Sequence, residues 1–138
     1  MKQLTTILTL FAWLTGLSVS GQAVNNSCDS IYDFVEIMPH YDKGADGLME
    51  YLKTDLAPVL STCFQRDSIL TASIHVTLAI NEQGKVIDVD FLRIQATEKC
   101  QEELRQKMMD MSGWTPGKQW GLPVCCNYSW PIRCINWK

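Results

Sequence analysis

The sequence predicts a small α+β domain, a three-stranded antiparallel sheet carrying two helices on one face, on three observations. Residues 71–80 and 85–94 alternate apolar and polar side chains around Asn81-Glu82-Gln83-Gly84. That is the pattern of two half-buried strands joined by a hairpin loop, with Gly84 free to take positive φ. Two other stretches repeat apolar side chains at helical spacing, one before the hairpin and one after it. A strand-like segment, 124–135, then follows a corner rich in Pro and Gly. The order is helix, strand, strand, helix, strand. A right-handed crossover through the second helix makes the third strand parallel to the second and antiparallel to the first. Its natural place is beside the first, which gives the sheet order 2-1-3.

The first helix is expected to start at Asp46, whose carboxylate can accept orphan amide hydrogens. Leu48, Tyr51, Leu52 and Leu56 form its apolar face, and Pro58 is expected to stop it by pushing its predecessor out of the α region. In the hairpin, Ile74, Val76, Leu78 and Ile80 face one way, and Ile87, Val89 and Phe91 answer them from the return strand. Thr97 is the expected cap of the second helix, with Glu98 in the first turn where the macrodipole favours negative charge. Cys100, Leu104, Met108 and Met111 are its buried stripe, and Gly113 ends it.

Residues 114–124 read Trp-Thr-Pro-Gly-Lys-Gln-Trp-Gly-Leu-Pro-Val. Neither a helix interior nor a central strand tolerates that density of Pro and Gly. Pro116-Gly117 is expected at the middle of a tight turn, bracketed by Trp114 and Trp120 as apolar anchors onto a core. In the strand that follows, Cys126, Tyr128, Trp130, Ile132 and Cys134 share one face. Pro131 places this strand at a sheet edge, because proline cannot donate to a ladder on both sides. An uncovered edge invites pairing with outside backbone.

At 138 residues the chain is one domain's worth. Lys2 precedes a run without charge, 4–19, and small residues follow near Gly21 and Ala23. This is the layout of a secretory signal peptide, expected over 1–23, with a short uncleaved anchor as the other reading. Residues 24–36 read as a polar tether, and 37–138 as the folded domain. A periplasmic or otherwise exported location follows. The net charge is −3 and there is no basic stripe, so nucleic acid has no electrostatic footing.

Six cysteines, all beyond residue 23, favour disulfides in an exported domain. No Cys-x-x-Cys spacing occurs and only two histidines exist, so no metal or other cofactor is expected. The topology brings Cys63, Cys100 and Cys134 to one end of the sheet, so Cys63 is expected to bridge to Cys100 or Cys134. Cys125 and Cys126 lie at the other end on opposite faces, and either is a partner for Cys28. No Gly-x-Ser-x-Gly is present, and His40 and His75 read as solvated side chains. An enzyme acting on a small molecule is therefore not expected.

The run of Trp114, Pro116, Gly117, Gly121, Pro123 and Val124, followed by Tyr128, Pro131 and Ile132, resembles the C-terminal domain of TonB-type energy transducers. Pro39, Gly44 and Gly47, Tyr51-Leu52, Pro58 and Gly84-Lys85-Val86 extend the resemblance over residues 38–137. It implies a two-helix, three-stranded fold that binds a segment of an outer-membrane transporter by strand addition. The implied binding edge is Val124, Cys125, Cys126, Asn127, Tyr128, Ser129 and Trp130. Fewer than about 20 residues separate the apolar N-terminus from the domain, a reach of roughly 70 Å when fully stretched. The expectation is thus a protein- or peptide-binding domain without a force-transmitting arm. The alternative is a disulfide-stabilised envelope protein that meets its own copy through the same strand.

Overall fold

A computed structural model describes residues 27–64 and 73–133. The expectations for the leader at 1–23, for residues 24–26 and for Cys134 lie outside those residues. The elements are β1 (His40–Tyr41), α1 (Gly44–Tyr51), a π-helical turn (Leu52–Leu56), α2 (Ala57–Cys63), β2 (Ser73–Ile80) and β3 (Val86–Arg93). After them come α3 (Glu98–Met109), β4 (Trp114–Thr115), β5 (Gly117–Gln119), β6 (Leu122–Val124) and β7 (Cys126–Arg133).

The fold is α+β. β2 is the middle strand of the main sheet, flanked by β3 and β7 and antiparallel to both. Two small antiparallel sheets accompany it, β1 with β4 and β5 with β6. The core lies between one face of the main sheet and the helices. Ile74, Val76, Leu78 and Ile80 of β2 meet Val86 and Val89 of β3 and Trp130 and Ile132 of β7. Leu48, Leu52, Leu56 and Leu60 close it from the first helical rod, and Leu104 and Met108 from α3. Ser73, His75, Asp88, Asp90, Ser129 and Arg133 stay exposed, so the opposite face of the sheet is largely polar.

Several local expectations are corrected. Helix α1 begins at Gly44 (φ 59°), preceded by Lys43 (φ 58°) at the cap position, both left-handed and with no side-chain cap, and Asp46 lies within its first turn. Pro58 does not stop the rod. The π-helical turn precedes it and helix continues to Cys63, with Pro58 in the first turn of α2. A wider turn shifts the hydrogen-bond ladder where proline has no donor to give, and so absorbs the ring. In β3 the pairing slips between Ala79 and Ile80, so that Val86 and Val89 both enter the core and Ile87 is only half-buried. A bulge of this kind inverts the alternation for residues before it.

Other expectations are met. Thr97 caps α3, its hydroxyl accepting from the Cys100 amide at 3.3 Å. Gly84 (φ +76°) turns the hairpin, and the Asn81 side chain accepts the amides of Gln83 at 3.0 Å and Lys85 at 2.8 Å. A Cβ on Gly84 would overlap the Trp114 carbonyl, so the same residue lets the corner seat against the hairpin. Disulfides join Cys63 to Cys100 and Cys28 to Cys125, with Cα–Cα distances of 5.5 and 6.1 Å. Arg105 of α3 donates to the Val89 carbonyl, lies over the Phe91 ring and ties helix to sheet.

Candidate functional site

The corner between α3 and β7 is built differently from a Pro-Gly turn. Pro116 joins β4 to β5, and Gly117 is a strand residue without positive φ. The reversal falls at Trp120 (φ 52°) and Gly121 (φ +73°), the two-residue hairpin linking β5 to β6. Two successive left-handed residues make the tight hairpin turn that matches strand twist. Gly117 has another reason to be glycine. A Cβ there would stand 3.1 Å from Cys126 Cβ, 3.1 Å from Val35 Cγ2 and 3.2 Å from Pro39 Cδ. Pro123 lies in β6 opposite Lys118.

Of the two expected anchors, only Trp114 is buried. Its ring stands 5.2 Å from Tyr41 and 4.8 Å from Tyr128, and Tyr41 meets Tyr51 at 6.2 Å. This aromatic row fastens the corner onto β7 and the first rod. Trp120 is 75% exposed and anchors nothing. Tyr51 donates its hydroxyl to the Lys107 carbonyl at 2.5 Å, and burial, with Asp55 next, pushes its pKa up to about 12. Tyr41 is raised too, by burial first and then by Asp55.

The edge expected to bind a partner is divided. Val124 belongs to the β5–β6 hairpin and not to the main sheet. Cys126, Tyr128 and Trp130 turn their side chains inward. Cys126 is fully buried, Trp130 is 7% exposed, and Tyr128 packs against the core. Cys125, 5% exposed, is tied up in its disulfide. The carbonyl of Cys125, just before β7, and the amide of Asn127 within it point away from β2. Antiparallel pairing alternates, so Ser129, Pro131 and Arg133 also turn their main chain outward. Pro131 thus stands where a missing donor leaves the sheet ladder intact.

Residues 28–37 are built into the fold rather than loose. Tyr32 donates its amide to Cys125 at 3.0 Å and accepts from the Asn127 amide at 2.8 Å. Asn127 Nδ2 reaches Asp33 at 2.8 Å. Further along, Ile37 and Lys118 exchange two main-chain bonds of 3.1 and 2.8 Å, and Glu36 binds Gln119 and the Trp120 amide. Few apolar side chains hold this strap. Ile31, Tyr32 and Ile37 are exposed, and Phe34 is 88% exposed. A net worth of about 1 kcal/mol per hydrogen bond is set against roughly 1–2 kcal/mol of backbone entropy per ordered residue. The strap would not stay ordered on those bonds alone, and the Cys28–Cys125 link decides the balance.

The strap leaves part of the edge open. The carbonyls of Asn127, Ser129 and Pro131 and the amides of Ser129 and Arg133 have no main-chain partner among the described residues. The side chains of Ser129, Pro131 and Arg133 are exposed. Two surface concavities, one beside α3 and Val59 and one beside Tyr41 and Tyr51, are lined by neither histidine nor thiol. Among the described residues no group of three or more His, Cys, Asp or Glu is placed to hold a metal ion. No helix among them is long and apolar enough to cross a membrane.

Comparisons with protein-family models, with curated proteins and with solved structures return no match. The functional reading therefore stands on the edge, the corner and the strap. The sequence signal for the strap was Cys28, already read as a partner of Cys125 or Cys126. Its main-chain bonds have no side-chain pattern to announce them.

Proposed function

We propose that the chain is a non-enzymatic, exported binding domain that takes up an extended segment of another protein by strand addition to the outer edge of β7. The likeness to TonB-type C-terminal domains extends the proposal to an envelope partner, with a segment of an outer-membrane transporter as one such occupant. The observation that carries it is the outward main chain from the Asn127 carbonyl to Arg133, which has no main-chain partner among the described residues, on a strand whose other side is fully laddered to β2. In this mode main-chain bonds supply affinity and alternate side-chain positions supply selectivity. The docking stretch is shifted from the one expected, because Val124 lies in another hairpin and Cys125 and Asn127 already bond the strap.

A photo-crosslinking residue placed at Ser129, with Asp90 on the opposite edge strand as control, tests the reading in the cells that make the protein. Adducts from position 129 with a second protein, lost in a chain that also carries Arg133→Pro, support it. Adducts only with a second copy of the chain replace it with self-association. Equal labelling from positions 90 and 129 overturns it.

A further inference from the structure

The geometry points to a redox-gated edge, in which the Cys28–Cys125 disulfide holds the strap over the start of β7 and its reduction by a dithiol uncovers that stretch for a partner. This rests on the docking reading given above and adds a control to the same site. Three observations carry it. The strap bonds the edge as a partner strand would, taking the Cys125 carbonyl and the Asn127 amide. It buries little, so its order depends on the covalent link. With the strap in place, Ser129 and Arg133 carry the outward amides of β7 left without a main-chain partner among the described residues, and Pro131 breaks the row between them. Release would add Asn127, giving two consecutive outward amides and a continuous run from Cys125 to Ser129.

The chemistry balances. A thiolate of the dithiol attacks Sγ of Cys28, the half-exposed end of the bridge, and the S–S bond breaks with Cys125 leaving as a thiolate that takes up a proton. The second thiol of the reductant then attacks the mixed disulfide and frees Cys28 as a thiol. Two electrons pass to the cysteines, and the dithiol ends as a disulfide. The neighbouring Cys126 does not short-circuit this exchange. It is a free thiol, fully buried, and burial, with the Asp33 carboxylate next, raises its pKa. A thiol kept protonated is a poor nucleophile.

Residue-resolved hydrogen exchange on the full chain tests the gate. Three samples are compared: the oxidised protein, the protein after mild dithiothreitol with thiols mapped by alkylation, and Cys28→Ser. The expected result is at least tenfold faster exchange at Tyr32, Ile37, Lys118 and Asn127 in the last two, with Val76 and Leu78 unchanged. Unchanged protection of the strap amides in both overturns the gate, and the reduced wild type decides the matter should Cys28→Ser fail to fold. Crosslinking from Ser129 is scored separately. A strap that loosens without any adduct leaves the gate standing and removes the docking reading. Adducts of equal yield with the strap bound and released remove the gate and leave the docking.

Discussion

Asn127 donates its backbone amide to the Tyr32 carbonyl at 2.8 Å, so the outermost strand is partly paired by the chain's own beginning. Proline at the two neighbouring outward positions should therefore behave differently. Asn127→Pro removes a made bond and the side-chain contact to Asp33, and should destabilise the fold by about 1–2 kcal/mol. Ser129→Pro removes an unused donor at an edge and should cost about 1 kcal/mol or less. Urea unfolding of the two variants checks the order, and equal losses would contradict the assigned edge.

Gly117 and Gly121 are glycine for different reasons, and substitution should tell them apart. Gly121→Ala meets open space but keeps a φ of +73°, a strain of about 1–2 kcal/mol that Gly121→Asn should partly relieve. Gly117→Ala crowds Cys126, Val35 and Pro39 and should cost about 1–3 kcal/mol. Adding Val35→Ala should recover part of the Gly117→Ala loss and none of the Gly121→Ala loss. A double-mutant cycle on denaturation midpoints measures the coupling.

Trp114 is buried against two tyrosines, yet its indole Nε1 has no hydrogen-bond partner among the described residues. Trp114→Phe trades lost area against the removal of an unsatisfied donor, and should cost less than about 1.5 kcal/mol. Trp114→Ala opens a cavity at the corner and should cost about 3–5 kcal/mol. Chemical denaturation of both variants separates packing from polarity at this site.

Tyr51 fixes an alkaline limit. Its folded pKa is raised from 10.0 to about 12, by burial first and then by Asp55, so the folded state holds the proton longer than the unfolded chain. The associated stability is complete below about pH 10 and is lost as pH climbs from there towards 12. Tyr51→Phe should flatten that decline while giving up the bond to Lys107 at neutral pH. Unfolding curves from pH 8 to 12, with tyrosinate absorbance followed in parallel, check both halves.

The hairpin was legible because period-two alternation through Val76 and Leu78 permits one buried face, and Gly84 stands where the loop turns left-handed. Both disulfides fell within the expected alternatives: element order brings Cys63 near Cys100 and Cys134, and Cys125 and Cys126 at the other end were the partners left for Cys28. The corner was misread because Pro-Gly is a turn signal without context, whereas a tryptophan at positive φ follows from no local preference. Pro58 was misread for a similar reason, as a π-helical turn leaves no mark in composition. The edge was half legible. Pro131 marked the margin, but the strap that shares it is held through main-chain groups, to which side-chain patterning is blind.

Cys28 and Cys125 are 97 positions apart in the chain. Synthesis at about 5–20 residues per second therefore delivers the first sulfur roughly 5–20 s before its mate. Over that interval the N-terminal thiol is at large beside Cys63 and Cys100, which emerge sooner. Any bridge from Cys28 to either of them that forms before Cys125 emerges has to be undone before the native pair can close, so a disulfide isomerase should raise the yield of correctly bridged protein.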